Sequence, residues 1–174
     1  MNKIYEMDKV RYPQSTSGGG GVLRYLKYFR KAQSTENFFL KKLYRKLTVH
    51  FRTAHGLEIP DDLVVGGGFY IGHPYGITVN PGAVLGENIN IHKGVTIGQE
   101  NRGSRKGTPV IGNLVWIGVN ASVVGAIHIG NDVLIAPNSY VNCDVPDHSV
   151  VFGNPCVIKH KDNATEGYIN RIAE

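Results

Sequence analysis

Residues 111–146 read IGNLVW-IGVNAS-VVGAIH-IGNDVL-IAPNSY-VNCDVP, a run in which one pattern returns every six positions. Each hexad opens on an aliphatic residue, and a second apolar or small residue follows four positions later. A helix would place apolar residues three and four positions apart, which this run does not do. Six residues suit one short strand and a corner, so three hexads close a triangular coil, and successive coils pair in parallel about 4.8 Å apart. The run therefore predicts a parallel β-helix.

The same period extends the coil back to Ile59 and predicts a little over four coils. The thirteen aliphatic anchors predicted to fill the core are Ile59, Val65, Ile71, Val79, Leu85, Ile91, Ile97, Ile111, Ile117, Val123, Ile129, Ile135 and Val141. With three anchors per coil, Ile71 should lie over Ile91, and Ile91 over Ile117. The period is interrupted by two extra residues after Ile71 and by a polar, glycine-rich insert at residues 99–109. Such an insert has to leave the coil as a loop, and loops on rigid scaffolds often carry function.

Composition divides the chain into four segments. Residues 1–21 end in Ser-Thr-Ser-Gly-Gly-Gly-Gly and predict a flexible lead-in. Residues 22–55 predict a basic helical segment, and residues 56–159 predict the β-helix domain with its protruding loop. Residues 160–174 form a polar tail in which we expect a short helix.

Two helices are expected in the basic segment. The first should run from residue 22 to about residue 31, and the second should start near Ser34 or Thr35, either of which could cap it. Gly56 is a suitable stop for the second helix. An apolar stripe on that helix is predicted at Phe39, Leu43 and Leu47.

The net charge of +5 is unevenly placed along the chain. Residues 24–52 hold nine Lys or Arg against one acidic residue, whereas residues 53–174 hold seven against eleven. The basic face is a solvated helix surface packed on the repeat domain or a neighbouring subunit, or it attracts an anionic membrane or acidic polysaccharide. Nucleic acid is disfavoured as a partner because the repeat domain has no matching basic stripe.

The sequence gives no support for secretion, for a disulfide framework or for a metal site. The start of the chain has no signal-peptide pattern, so we expect a cytoplasmic protein. Two cysteines, Cys143 and Cys156, make neither a disulfide framework nor a metal-ligand spacing, and no metal is expected.

His73 and His92 are the histidines that the predicted stacking brings to one place. His73 should lie about one coil above Lys93, with His92 one residue to the side. Histidine suits proton transfer near neutral pH because its ordinary pKa is about 6.5. Spacing alone leaves a purely structural role open for either residue.

Six short motifs carry a family resemblance over residues 56–159. They are Gly-Leu-Glu-Ile at 56–59, Ile-Gly-His-Pro-Tyr-Gly at 71–76, Gly-Val-Thr-Ile-Gly at 94–98, Thr-Pro-Val-Ile-Gly-Asn at 108–113, Val-Trp-Ile-Gly at 115–118 and Val-Phe-Gly-Asn-Pro at 151–155. With these motifs the chain resembles the hexapeptide-repeat, left-handed β-helix acyltransferases. Within them it is similar to the serine acetyltransferase-like and capsular polysaccharide O-acetyltransferase branch. The resemblance implies a left-handed coil, a homotrimer with active sites between neighbouring prisms, and acetyl-CoA as the acyl donor.

The resemblance also implies roles for single residues. His73 falls on the catalytic base, and Glu58 falls where the branch has an aspartate that orients it. Positions that match the acetyl-CoA groove are Gly98, Gly118, Val119, Ala136, Pro137 and Lys159. His92 and Tyr75 are the candidates for contact with the acceptor.

Departures from the family pattern bear on the acceptor. Serine acetyltransferases carry an aspartate where this chain has Gly72, and an Arg-His pair where it has Gly107 and Thr108. Without those groups a zwitterionic amino acid would be poorly paired, so the main hypothesis is a sugar or surface-glycan hydroxyl. Serine O-acetylation is the alternative, and a non-catalytic hexapeptide scaffold is a further one. A zinc enzyme of carbonic-anhydrase type is weaker, because it needs a third histidine ligand.

Overall fold

The computed structural model describes residues 3–13 and 19–174. Its helices are α1 (Lys3–Val10), α2 (Gly19–Ser34) and α3 (Phe38–His55). Its strands are β1 (Val64–Val65), β2 (Tyr70–Gly72), β3 (Thr78–Val79), β4 (Val84–Leu85), β5 (Asn90–His92), β6 (Thr96–Gly98), β7 (Val110–Ile111), β8 (Val115–Ile117), β9 (Ser122–Val124), β10 (His128–Ile129), β11 (Val133–Ile135), β12 (Tyr140–Val141), β13 (Ser149–Phe152) and β14 (Val157–His160). The short helical segment thus precedes a mainly β domain.

Three parallel sheets form the three faces of the coil. The first face is β1-β4-β7-β10, the second is β3-β6-β9-β12, and the third is β2-β5-β8-β11-β13 with β14 added at its end. Ile71 pairs with Ile91, and Ile91 with Ile117, which is the predicted register. All thirteen anchors are at most 8% exposed, because each coil covers the aliphatic side chains of the last. The predicted parallel β-helix is confirmed.

The coil is longer at its carboxyl end than the sequence predicted. The sequence at the end of the regular hexads, residues 144–159, predicts a segment that leaves the coil. Instead, β13 adds one more parallel strand to the third face, with Val151 beside Ile135. β14 then turns back and pairs antiparallel with β13. The short helix expected in residues 160–174 is wrong, because β14 ends at His160 and turns occupy the residues after it. Asp132 holds this tail, since its carboxylate accepts hydrogen bonds from the backbone N–H groups of Ala164 and Thr165.

The hairpin of β13 and β14 also brings the two cysteines together. The sulfur atoms of Cys143 and Cys156 lie 3.7 Å apart, and both residues are free thiols. Partial burial, together with the neighbouring Cys156, raises the pKa of the Cys143 thiol. Sequence spacing gave no sign of this proximity.

The amino-terminal residues cap the open end of the coil. Residues 3–10 form α1 instead of the expected flexible lead-in, while residues 14–18, in the predicted linker, lie outside the described residues. The carboxylate of Asp8 accepts a hydrogen bond from the Phe69 N–H at 2.8 Å, and the Tyr12 hydroxyl accepts one from the Ile71 N–H at 2.8 Å. These N–H groups would otherwise form an unpaired sheet edge. Asp8 also forms an ion pair with Arg30 of α2 at 2.8 Å.

Helix α3 begins and ends at identifiable caps. Its N-cap is Asn37, whose side chain accepts from the Leu40 N–H, so the expected start at Ser34 or Thr35 is wrong by a few residues. Gly56 ends the helix in the left-handed conformation, as predicted. The predicted apolar stripe is exposed rather than packed on the repeat domain: Phe39 is 79% exposed, Leu43 48% and Leu47 45%. None of the helices in the described part of the chain is long and apolar enough to cross a membrane.

Candidate active site

An inserted corner positions His73. After each of β2, β5, β8 and β11, one corner residue takes a left-handed backbone conformation: Gly76, Gly94, Asn120 and Asn138, with φ of 62°, 71°, 58° and 59°. In the first coil the two extra residues add a second left-handed residue, His73, with φ of 54°. Left-handed non-glycine residues such as Asn120 and Asn138 are ordinary at the corners of this coil, so what sets His73 apart is the two-residue insertion. The insertion therefore displays His73 on the surface of the coil, where it is exposed.

His92 lies next to His73, as the stacking predicted. Gly72 pairs with His92 between β2 and β5, so His73 follows directly at the corner. Burial lowers the pKa of His92 to about 4, and the nearby His73 adds to this effect. The Nε2 atom of His92 is buried and has no hydrogen-bond partner among the described residues. His92 is therefore an uncharged imidazole at neutral pH.

The imidazole of His92 fills the space in front of Gly72. A Cβ built on Gly72 would lie 2.5 Å from Nδ1 of His92 and 2.6 Å from its Cε1. Such separations are too short for real atoms, so a side chain at position 72 would require His92 to move. The imidazole of His92 can therefore occupy this position only because residue 72 is a glycine.

Glu58 lies at the start of the coil, directly beside Thr78 of β3. Its backbone forms a parallel bridge with Thr78, and its exposed carboxylate accepts a hydrogen bond from the Thr78 hydroxyl at 3.3 Å. Within residues 3–13 and 19–174, no hydrogen bond or ion pair joins Glu58 to His73. The orienting role of Glu58 stays a prediction.

Tyr75 is presented beside His73 by the end of α3. It is 57% exposed, and its ring centroid lies 4.9 Å from that of His55. The His55 ring stacks in turn on Phe51 at 4.0 Å, and the His55 carbonyl accepts from the Gly76 N–H. The helical segment thus supports the corner that carries the two candidate residues.

Four of the predicted donor-binding positions meet at one edge of the coil. The Asn138 N–H donates to the Val119 carbonyl, which joins the corners that contain Gly118, Val119, Ala136 and Pro137. A Cβ on Gly118 would lie 2.6 Å from the Pro137 nitrogen, so this glycine is needed for close approach of the coils.

The other two predicted donor-binding positions lie on different strands. Gly98 ends β6 on the second face, where it pairs with Val124. Lys159 lies on β14 with its ammonium 5.7 Å from the centre of the Phe152 ring. Lys159 is an exposed residue, so its side chain is available to an anionic group.

A cavity that the sequence did not predict adjoins this corner. Tyr70, Asn90 and Trp116 form one row on the third face, because they pair directly across β2, β5 and β8. The predicted register of Ile71, Ile91 and Ile117 contained this signal, since each of the three residues precedes one of those anchors. Tyr168 of the tail, which contacts Trp116, had no such signal. No group of three or more His, Cys, Asp or Glu among the described residues could hold a metal ion.

No family model matches the chain. The serine acetyltransferase of Helicobacter pylori is 34% identical over 118 residues, which cover 68% of this chain and 69% of that protein. The chain belongs to the serine acetyltransferase family. Serine acetyltransferases of Bacillus pumilus (34% identical over 121 residues) and Arabidopsis thaliana (29% over 182 residues) are also similar. The matches cover 68% and 95% of this chain but only 56% of each of those two relatives.

Solved structures show the same fold. The serine acetyltransferase of Brucella abortus superposes with a TM-score of 0.73 at 24% identity, over 91% of this chain and 68% of that one. The Neisseria gonorrhoeae enzyme in complex with serine gives 0.69 at 30% identity, over 90% and 68%. The predictions of a left-handed hexapeptide β-helix and of an acyltransferase are confirmed. The capsular polysaccharide branch is not supported, because the relatives are serine acetyltransferases.

Proposed function

We propose that the chain is an acetyl-CoA-dependent O-acetyltransferase whose acceptor is the hydroxyl of serine and whose general base is His73. Support for the acceptor comes from the Helicobacter pylori relative and from the Neisseria gonorrhoeae structure, which contains serine. Support for the donor comes from the Brucella abortus serine acetyltransferase in complex with coenzyme A, which is 25% identical. The observation that carries the proposal is an exposed histidine on a corner that the rest of the coil does not have.

In the reaction, the acceptor oxygen bonds to the acetyl carbonyl carbon, and the bond between that carbon and the sulfur of coenzyme A breaks. His73 takes the proton of the hydroxyl through a ring nitrogen and returns it to the departing sulfur. The products are an ester and the free thiol. Protein groups supply position and proton transfer, while the donor supplies the activated acyl group.

Other residues have supporting roles in this proposal. Glu58 orients the imidazole of His73. Gly118, Val119 and Pro137 form the edge along which the donor lies, and the Lys159 ammonium meets one of its phosphates. The homotrimer implied by the resemblance belongs to the same proposal, and light scattering would test it as a mass three times the chain's 19.1 kDa.

A sugar hydroxyl is the second candidate acceptor, and the surroundings of Gly72 favour it. No carboxylate stands at position 72 to meet the amino group of serine, and His92 occupies the space that one would need. Thr108 donates its hydroxyl to the Gly82 carbonyl at 2.7 Å, so this side chain is engaged in the loop. The absence of charged groups at positions 72 and 108 therefore favours a surface-glycan precursor as the second candidate acceptor.

The test assays serine and a panel of monosaccharides side by side with acetyl-CoA, with release of free coenzyme A as the readout. We expect turnover with serine, and we expect His73→Ala to lower kcat by about 10²- to 10⁴-fold, the usual contribution of a general base. His128→Ala is the matched control, because His128 is an exposed histidine on β10.

Three other outcomes of this assay would contradict a part of the proposal. Turnover with a sugar and none with serine would replace the acceptor by the second candidate. Wild-type turnover by the His73→Ala variant would remove the assigned base. A protein that neither turns over nor binds acetyl-CoA would be the non-catalytic scaffold.

A further inference from the structure

A cavity of about 420 Å³ opens on the third face of the coil, beside the corner that carries His73. β2, β5 and β8 supply its floor, and the tail supplies one wall. Its main lining residues are Tyr70, Asn90, His92, Trp116, Tyr168 and Arg171. The volume suits a ligand about the size of one or two sugar rings.

Aromatic rings form much of the wall. The Trp116 ring centroid lies 4.8 Å from that of His92 and 5.1 Å from that of Tyr168. Tyr70 continues the same wall, with its ring 6.3 Å from His92 and 4.7 Å from Tyr12. Tyr168 is 50% exposed, so it stands at the mouth of the cavity.

The polar groups of the cavity are uncharged or cationic. Asn90 is 4% exposed; its Oδ1 accepts from Arg11 Nη2 at 2.6 Å and its Nδ2 donates to the Tyr168 carbonyl at 3.4 Å, so the amide holds the wall of the cavity together. Arg171 is exposed at the rim. Arg11 also lines the cavity, and no carboxylate is among the described lining residues. An ammonium group would therefore find repulsion and no counter-ion, which disfavours an amino acid here.

His92 adds a hydrogen-bonding atom that has no partner among the described residues. Its Nε2 is buried, and leaving such an atom unpaired is unfavourable. Because burial keeps the pKa of His92 at about 4, the imidazole is neutral and offers one donor and one acceptor nitrogen. A hydroxyl matches either tautomer, since it both donates and accepts.

We propose that this cavity binds the ring of a neutral or acidic sugar, with one C–H face of the ring against Trp116 and Tyr168. The hydroxyl groups of such a ring meet the guanidinium of Arg171 at the rim, and a shift of the His92 side chain gives one of them access to the buried Nε2. The inference goes beyond serine acetylation and does not depend on which acceptor the enzyme uses. A sugar in this position lies beside the His73 corner.

Trp116 supplies a direct readout, because it is the single tryptophan of the chain. The full-length protein, without acetyl-CoA, is titrated with glucose, N-acetylglucosamine and glucuronate while tryptophan fluorescence is followed. We expect a saturable change at millimolar concentration with at least one of these sugars. Tyr168→Ala should weaken binding by about fivefold, since one aromatic contact contributes roughly 1 kcal/mol.

Two control variants distinguish loss of the Tyr168 ring from a general effect of substitution on the folded protein. Tyr168→Phe keeps the aromatic face and should bind as the wild type does. Phe38→Ala removes an aromatic residue that is 70% exposed on α3 and does not line the cavity, so it should leave binding unchanged.

The proposal is overturned by the absence of a saturable change with all three sugars, or by equal affinity in Tyr168→Ala. Adenosine is the planar comparison, and a response to adenosine without one to sugars would assign the cavity to heteroaromatic ligands instead. Acetyl-CoA is absent from the titration, so failure here leaves the serine assay untouched. Failure of the serine assay likewise leaves the cavity proposal standing.

Discussion

At the scale of single residues, His92 is a partly buried histidine whose surroundings lower its pKa. It packs between aromatic rings, its Nε2 is buried, and Gly72 leaves it the space to do so. Burial first, and the neighbouring His73 second, lower its pKa to about 4. Arg11 and Arg171 are charged residues that line the same cavity as His92.

This shift predicts that stability falls in acid. A folded pKa below the ordinary value of 6.5 means that the unfolded chain binds a proton that the folded chain does not. The stabilisation is complete above about pH 6.5 and is lost as the pH falls toward 4. Urea unfolding at pH 7 and pH 4.5 should therefore show a smaller loss of stability for His92→Leu than for the wild type.

His128→Leu serves as the control for that comparison, because His128 is exposed on β10. It should lose as much stability in acid as the wild type does. Equal losses in His92→Leu and the wild type would show that carboxylates alone account for the acid sensitivity.

At the scale of elements, α1 is the cap of the coil and Asp8 is its anchor. The Asp8 and Arg30 side chains are 0% and 2% exposed, and the carboxylate also holds the Phe69 N–H of the first coil. Burial raises the pKa of Asp8, while the hydrogen bond and charge of Arg30 oppose that shift. One carboxylate thus joins α1, α2 and the end of the β-helix.

Asp8→Ala should destabilise the protein by about 3–5 kcal/mol, because it leaves a buried guanidinium without that carboxylate. Urea unfolding measures the change. Glu6→Ala on the same helix is the control, since Glu6 pairs with Lys9 on the surface and its loss should cost under about 1 kcal/mol. Similar effects from the two substitutions would mean that α1 does not cap the coil.

The elements also show where sequence reasoning stopped. Ile71, Ile91 and Ile117 were placed correctly because one local period dictates their register. β13 was missed because the period shortens: Val145 follows Val141 after four residues, yet it still bridges to Ile129. α1 was missed because its stability rests on Asp8 and Arg30, partners that are 22 residues apart in sequence.

The candidate site likewise contains features that the repeat predicts and features that it does not. His73 and His92 followed from the stacking of coils, so their proximity was predictable. The wall that Tyr168 adds to the cavity could not be predicted, because the tail is placed by the carboxylate of Asp132, with hydrogen bonds to Ala164 and Thr165. Tertiary contacts of this kind leave no periodic trace in a sequence.

At the scale of the whole molecule, charge and exposed apolar surface meet on α3. Five cationic residues and no acidic residue lie between Phe38 and His55. The exposed apolar side chains of this helix are Phe38, Phe39, Leu40, Leu43, Leu47 and Val49. A helix with both features is typical of one that lies in the surface of an anionic membrane.

We therefore expect the protein to sediment with phosphatidylcholine vesicles that contain phosphatidylserine, and not with phosphatidylcholine alone. Binding should weaken as salt is raised, because each Lys or Arg near such a surface contributes about 1 kcal/mol that salt screens. The Phe39→Ser/Leu43→Ser variant should bind less at every salt concentration, since it removes apolar surface without changing charge. Val64→Ser, a change at a 58% exposed residue of β1, is the matched control and should bind normally. If the α3 variant instead binds vesicles normally but lowers the mass measured by light scattering, the apolar stripe is a contact between subunits, and the basic residues beside it are solvated.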